Sequence, residues 1–201
     1  MKILTTEDAI KRELIEKKGL SLIPTMGNLH SGHLSLVKGA KEYNHKTIVT
    51  IFINPLQFGP NEDFNKYPRT IESDIKKLEK IDCDYVFIPE DDFAKNLGII
   101  KAPSISMELC GKNRPGHFDG VLTIVNKIFS VILPTHAFFG LKDYQQFILI
   151  REFAKNYFPE IKIIGLPIIR EKDGLAMSSR NNYLTKDGRK IAPKIYENLI
   201  W

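Results

Sequence analysis

Apolar and polar positions along this chain fall into blocks of two kinds. Short runs dense in β-branched and aromatic residues alternate with longer stretches whose apolar residues lie three and four apart, the periods of strand and helix. Helical spacing first appears over 6–18 (Ile10, Leu14, Ile15), behind Thr5 or Thr6 as a cap, and Gly19 ends it. "LSLIP" predicts a short buried strand, and "HLSLVKGAKEY" a helix with Leu34, Val37 and Ala40 on one face. "KTIVTIFINP" is continuously apolar, as a strand covered on both sides should be. "RTIESDIKKLEKI" predicts a helix with Ile71, Ile75 and Leu78 inward and its charges outward, and "DYVFIP" a third strand. Residues 91–118 read as irregular, with one strand at "SISMEL". "GVLTIVNKIFSVI" is a helix apolar nearly all round. "HAFFG" is a strand, "DYQQFILIREFAKNYF" a helix and "IKIIGLPIIR" a strand. "TKDGRKIAPKIYENLI" reads as a helix whose boundary Pro193 blurs.

Strand and helix thus alternate about five times. That pattern predicts an α/β fold, a doubly wound parallel sheet with helices on both faces and right-handed crossovers. The chain has 201 residues, 43% hydrophobic and 26% charged, enough for one core with a small appendage and inconsistent with disorder. Net charge is +5, but the lysines of "KRELIEKKG" and "KKLEK" are interleaved with acids. They read as solvated helix faces and not as a stripe for nucleic acid, and a site for a small anion accounts for the excess as well. "MKILTTEDAI" has too short an apolar run to be expected to act as a signal peptide, and the longest apolar stretch contains Asn126 and Lys127, so no membrane span is expected. Cys83 and Cys110 are isolated, as suits a cytoplasmic protein that uses them as small apolar fillers.

The unusual chemistry sits after strands. "PTMGNLHSGH", "NPLQFGPNEDF", "FGLKDYQQ" and "REKDGLAMSSRN" each follow one, at the ends where doubly wound sheets bind ligands. In the first, a helix beginning near His33 turns free amides and its positive end toward the crevice, an anion site. Gly27 and Gly32 allow close approach of a phosphate, and His30 and His33, neutral or protonated, add donors. The plainer reading is that one histidine caps the helix and the other is partly buried. A metal would need a third ligand, and none is near in sequence. Ser178, Ser179 and Arg180 in "MSSRN" suit pyrophosphate oxygens, or form a solvated turn. Lys142 suits a phosphate and Asp143 ribose hydroxyls, or Asp143 is a helix N-cap. Gln57 suits a polyol, with Asn54 and Pro55 shaping its turn. In "RPGHFDG", Arg114 and His117 are candidates for the crevice wall, Arg114 for an anion contact, and Asp119 for a helix cap.

"HSGH" and "MSSR" together resemble the "HIGH" and "KMSKS" signatures of the nucleotidylyltransferase superfamily. "PTMGNLHSGHLSLV", "IFINPLQFGPNEDFNKYPRT", "NRPGHFDGVLTIVNKIF", "FFGLKDYQQFILIR" and "PIIREKDGLAMSSRNNYLT" resemble, more narrowly, the pantothenate synthetase (pantoate–β-alanine ligase) family, from Leu20 to Trp201. The resemblance implies a Rossmann-like catalytic domain over 1–184, with 185–201 the start of a truncated carboxyl-terminal lid domain. It implies a homodimer, and ATP as substrate with Mg2+ held mainly by its phosphates. It implies that pantoate attacks the α-phosphorus to give pantoyl adenylate and pyrophosphate, and that β-alanine then displaces AMP. By the same resemblance Met26, Gly27, Asn28, Leu29, His30, Ser31, Gly32 and His33 hold ATP, as do Gly140, Leu141, Lys142 and Asp143, Ile169 beside adenine, and Met177, Ser178, Ser179 and Arg180. His30, His33, Lys142 and Arg180 are the implied catalytic groups, and Gln57 and Gln146 the implied pantoate and β-alanine contacts. Leu141 stands where the family usually has Glu. Two alternatives stay open: an adenylyltransferase of the same superfamily, and a nucleotide-binding dimerisation fragment without turnover.

Overall fold

A computed structural model describes residues 1–14 and 19–200. Ile15 and the end of the first expected helix, and Trp201, lie outside the described residues. The strands are β1 (Lys2–Leu4), β2 (Leu20–Thr25), β3 (Lys46–Ile51), β4 (Tyr85–Phe87), β5 (His136–Gly140) and β6 (Lys162–Leu166). The helices are α1 (Glu7–Leu14), α2 (Ser31–Lys41), α3 (Ile71–Glu79), α4 (Cys110–Asn113), α5 (His117–Ile132), α6 (Tyr144–Tyr157), α7 (Lys186–Ile191) and α8 (Pro193–Glu197). All strand pairs are parallel, in the order β1-β4-β3-β2-β5-β6, the doubly wound architecture of a Rossmann-like fold.

Alternation along each strand builds two cores. Leu22, Ile48, Phe87 and Phe139 face α1, α5 and α6. Their chain neighbours Ile23, Val49, Val86 and Phe138 face α2 and the Leu78 side of α3. This is why the strands read as unbroken apolar runs: both faces are covered. From β2 the chain winds outward through β3 and β4, then returns over α5 to β5 on the other side. The switch point therefore lies between β2 and β5. These two strands pair only at Ser21↔His136 and Leu22↔Ala137, whereas β2 pairs with β3 from Leu20 to Thr25. Pro24, with no N–H to donate, lies two residues past the last β2–β5 pair. Beyond it the strands part, and a crevice opens.

Several local expectations are corrected. "SISMEL" is not a strand but a 3-10 turn, Ser104–Met107, with Ile105 and Met107 exposed. The place beside β4 is taken by β1, a strand of three residues, too short to carry a period of its own. Ile71 is exposed, and Asp74 is fully buried on the inward face of α3. Asp119 does not cap α5. Gly116, in the left-handed region at φ 78°, is the cap residue, and Asp119 accepts the Ala102 N–H at 2.9 Å and pairs with Lys101. Cys83 is a buried filler as expected, but Cys110 is exposed. The last helix splits in two, with Pro193 opening α8. Neither α7 nor α8 has a buried residue.

Candidate nucleotide-binding and active site

The crevice between β2 and β5 holds about 330 Å³. Pro24, Thr25 and Phe139 flank it, α5 supplies an apolar floor (Val121, Ile124, Val125, Ile128), and the loops after β2, β3, β5 and β6 supply a polar rim. Of the expected side chains, Met26, His30, His33, Gln57, Lys142, Asp143, Gln146, Ser178, Ser179 and Arg180 line it together, although the chain separates the first from the last by some 150 positions.

Both readings of the histidine pair hold at once. α2 begins at Ser31, two residues before the expected start, with His30 as its N-cap. The His30 Nδ1 accepts the Gly32 N–H at 3.1 Å, and the His33 Nδ1 accepts the His30 N–H at 3.3 Å. This is a reciprocal capping box in which histidine takes the part usually played by Ser and Glu. Because each Nδ1 accepts from a backbone amide, each neutral ring carries its proton on Nε2. The rings lie 4.1 Å apart between centroids. Burial pushes the His33 pKa down to about 3, helped by the charges of His30, Lys142 and Lys77. His30 is lowered too, first by burial and then by Lys142 and Lys77. At neutral pH the pair therefore offers two uncharged N–H donors to the crevice and no imidazolium proton.

A consequence for stability follows by linkage. The unfolded His33 imidazole titrates near 6.5 and the folded one near 3, so between these values the unfolded chain binds more protons. Stability is therefore lost as pH falls from 6.5 toward 3, by at most about 1.4 kcal/mol per pH unit from this group. Thermal unfolding followed by circular dichroism should fall in midpoint over this range, and His33→Gln should flatten the slope. An unchanged slope in the variant would refute the assignment.

The loop ahead of α2 spends two of its backbone amides inside the protein. Asn28 and Leu29 do not turn their N–H groups into the crevice. They donate to the buried Asp74 carboxylate at 2.8 Å each. Gly27 and Asn28 both adopt left-handed backbone, at φ 82° and 49°. A Cβ on Gly32 would stand 2.9 Å from the His30 ring, so glycine there leaves room for the capping imidazole. The Ser179 hydroxyl donates to the Asn28 carbonyl at 3.1 Å, docking one segment on the other.

Both guanidiniums near the crevice hold carboxylates. Arg180 binds Asp63 through two bonds of 2.9 and 2.8 Å, and Arg114 binds Glu62 at 2.6 and 2.7 Å. Arg114 also reaches His117 Nε2 at 2.9 Å. Arginine only donates, so His117 Nδ1–H donates to the Gln57 carbonyl at 2.8 Å. Lys142 pairs with its neighbour Asp143 at 2.9 Å. Asp143 is the N-cap residue of α6 by position, without a capping hydrogen bond. The Gln57 side chain is oriented by Asn54, which is 2% exposed. Asn54 Oδ1 accepts the Leu56 N–H, so its Nδ2 donates to Gly120 O at 3.1 Å and to Gln57 Oε1 at 3.0 Å. The Gln57 amide nitrogen is left beside Met26 Sδ, 3.2 Å away, facing the crevice.

A family model described as pantoate-beta-alanine ligase matches residues 2–201. A pantothenate synthetase of Fervidobacterium nodosum is 48% identical, over all of this chain and 74% of its own length. The crystal structure of pantothenate synthetase from Thermus thermophilus superposes with a TM-score of 0.96 at 38% identity, covering 100% of this chain and 74% of that one. A pantoate-beta-alanine ligase from Francisella tularensis, complexed with beta-gamma ATP and beta-alanine, gives 0.93 at 40% identity, covering 100% and 80%. The chain belongs to the pantoate–β-alanine ligase family.

Within that family frame, the remaining expected nucleotide contacts are not among the side chains that line the crevice. Leu29 is buried in the α2 core, Leu141 packs against the α5 core, and Gly140 ends β5. Ser31 is exposed at the start of α2. The Ile169 carbonyl accepts the Met177 N–H at 3.0 Å, which closes the hairpin carrying "MSSR". The motifs alone missed Asn54 as an orienting group, Asp63 and Glu62 as partners of the arginines, and Asp74. Asp74 did leave a signal: it sits three after Ile71 and four before Leu78, on the inward face of an otherwise amphipathic helix.

Proposed function

We propose that this crevice is where the chain performs the ATP-dependent condensation of pantoate with β-alanine, forming pantothenate, AMP and pyrophosphate. The observation that carries the reading is the convergence, over an apolar floor, of two neutral histidine donors, Lys142, the Ser178–Arg180 segment and the amides of Gln57 and Gln146. Pantoate has that shape: a carboxylate and two hydroxyls around a dimethyl carbon. Its carboxylate oxygen attacks the α-phosphorus and pyrophosphate leaves. The amine of β-alanine then attacks the acyl carbon, giving up a proton as the amide forms, and AMP leaves.

In this reading, the Nε2–H groups of His30 and His33 and the ammonium of Lys142 donate to the α-phosphate oxygens, where negative charge concentrates in the transition state. A carboxylate nucleophile has no proton to lose, so neither histidine is needed as a base. Arg180 and Ser178 and Ser179 hold the β- and γ-phosphates, with phosphate taking a share of Arg180 from Asp63. Gln57 and Gln146 hold pantoate. Asp143 takes the ribose hydroxyls and Ile169 lies beside adenine. Magnesium accompanies the nucleotide and neutralises its phosphates. Among the described residues no three His, Cys, Asp or Glu side chains converge, and phosphate oxygens and water suit this ion as ligands. The proposal includes action in the cytoplasm, supported by two free thiols, and assembly as a homodimer, for which the exposed Ile99, Ile105, Met107 and Leu109 offer apolar surface.

Incubation with ATP, pantoate and β-alanine is expected to yield AMP only when both other substrates are present. Pyrophosphate release indifferent to β-alanine would indicate a stalled first half-reaction. ATP binding without any product would sink the proposal for this chain.

A further inference from the structure

The groups that hold the histidine loop in place lie outside the crevice, on α3. Asp74 is fully buried. Its Oδ2 accepts the Asn28 N–H at 2.8 Å and the Thr70 hydroxyl at 3.0 Å, and its Oδ1 accepts the Leu29 N–H at 2.8 Å. One turn along α3, Lys77 donates from Nζ to the Leu29 carbonyl at 2.7 Å, and the same Nζ lies 3.7 Å from Asp74 Oδ1. Leu29 is thus gripped on both sides, by a carboxylate at its N–H and an ammonium at its C=O. The next residue is His30. The left-handed backbone of Gly27 and Asn28 wraps successive amides around an anion, as a phosphate-binding nest does. Here the anion belongs to the protein. A Cβ on Gly27 would stand 3.2 Å from Asp74 Oδ2, so the nest closes tightly on the carboxylate.

We propose that Asp74 and Lys77 act as a clamp that positions the His30–His33 pair for the adenylation step, with Asp74 the principal positioning residue. The inference rests on the ligase reading above. Leu29 sits between the clamp and the capping box, so its two backbone dihedrals set where the His30 ring points and whether His33 can accept the His30 N–H. The same clamp reaches the second phosphate segment, because Asn28 donates its N–H to Asp74 and accepts Ser179 through its carbonyl. A buried carboxylate close to bound phosphates is repulsive unless its charge is fully met. Three hydrogen bonds and the Lys77 ammonium meet it, and the loop is held without drawing on ligand.

The test uses Asp74→Asn and, because a buried isostere can still misfold, Lys77→Met at a partly exposed position. Asparagine keeps the shape but sets an NH2 against a backbone N–H, so one of the two loop bonds is lost. Single-turnover pyrophosphate release is expected to fall roughly 100-fold in Asp74→Asn and roughly tenfold in Lys77→Met, with ATP affinity within about threefold of the parent in both. Imidazole 15N spectra should show the Nε2–H tautomer of His30 and His33 giving way to a mixture, a readout that plain destabilisation of a folded sample does not move. Release within about threefold of the parent in both variants, or unchanged tautomers, would overturn the clamp. A loss that disappears on cooling, in step with the folded fraction, would do the same. If the parent itself makes no product, the ligase reading fails, and the tautomer spectra still decide the clamp.

Discussion

Replacing His33 with alanine is expected to slow pyrophosphate release by roughly 100- to 1,000-fold while ATP affinity changes by less than about threefold, the pattern for a donor whose bond strengthens only as charge builds in the transition state. The neutral ring supports this. With a pKa of about 3, His33 has almost no imidazolium at neutral pH to attract the ground-state triphosphate. What it offers is an N–H fixed by the capping box. Alanine removes that donor and also leaves the His30 N–H without its acceptor. His33→Gln and His33→Glu together separate the two effects. Either side chain can reach back from the third helical position to the cap amide and preserve the box, but glutamine keeps an amide N–H to stand in for the Nε2–H and glutamate has none. Activity kept in His33→Gln and lost in His33→Glu assigns the role to the donor. Near-parent activity in both would mean that the histidine serves the loop and not the α-phosphate. Equal losses in ATP affinity and in rate would also defeat the assignment.

Gly120→Ala is expected to destabilise the protein by about 2–3 kcal/mol, through overpacking against backbone that cannot rotate away. A Cβ there would stand 2.0 Å from the Leu56 carbonyl oxygen and 2.7 Å from the Gln57 nitrogen. α5 therefore rests directly on the turn that presents Gln57, and only a glycine permits that distance. Asn54, which orients the Gln57 amide, is itself held by the Gly120 carbonyl. The substitution should lower the unfolding midpoint by roughly 5–10 °C for a chain of this size and raise KM for pantoate more than KM for ATP. A midpoint within about a degree of the parent with unaltered kinetics would mean that the turn relaxes freely, contrary to this packing.

Much of the crevice lining was legible in the sequence, and the groups that support it were not. His30, His33, Lys142 and "MSSR" each read equally well as a cap or a solvated turn, and it is the recurrence of such polar, Gly-rich segments after strands that picks them out. Their partners look ordinary in sequence. Asp63 and Glu62 lie in an acidic, exposed-looking stretch, and nothing local pairs them with arginines that follow 117 and 52 positions later. Asp74 was hidden by an assumption: the helical period calls for apolar groups inward, and the inward position here holds a carboxylate whose donors come from another loop. Nor can the loop's own sequence reveal that a distant acid occupies the Asn28 and Leu29 amides ahead of α2.

The sequence by itself determined the alternation of strands and helices, the two-sided burial of the sheet and the location of the chemistry at strand ends. These follow from local periods of about two and 3.6 and from residue types that water or a core will not tolerate. Only the tertiary structure decided the switch point, the parting of β2 and β5 that makes the crevice, the tautomers of the two histidines and the anion that fills the nest beside them. Those depend on strand order and on hydrogen bonds between groups far apart along the chain, which local preference does not encode. The β2–β5 pairing stops after Leu22, and that single fact of register opens the space in which the rest of the site assembles.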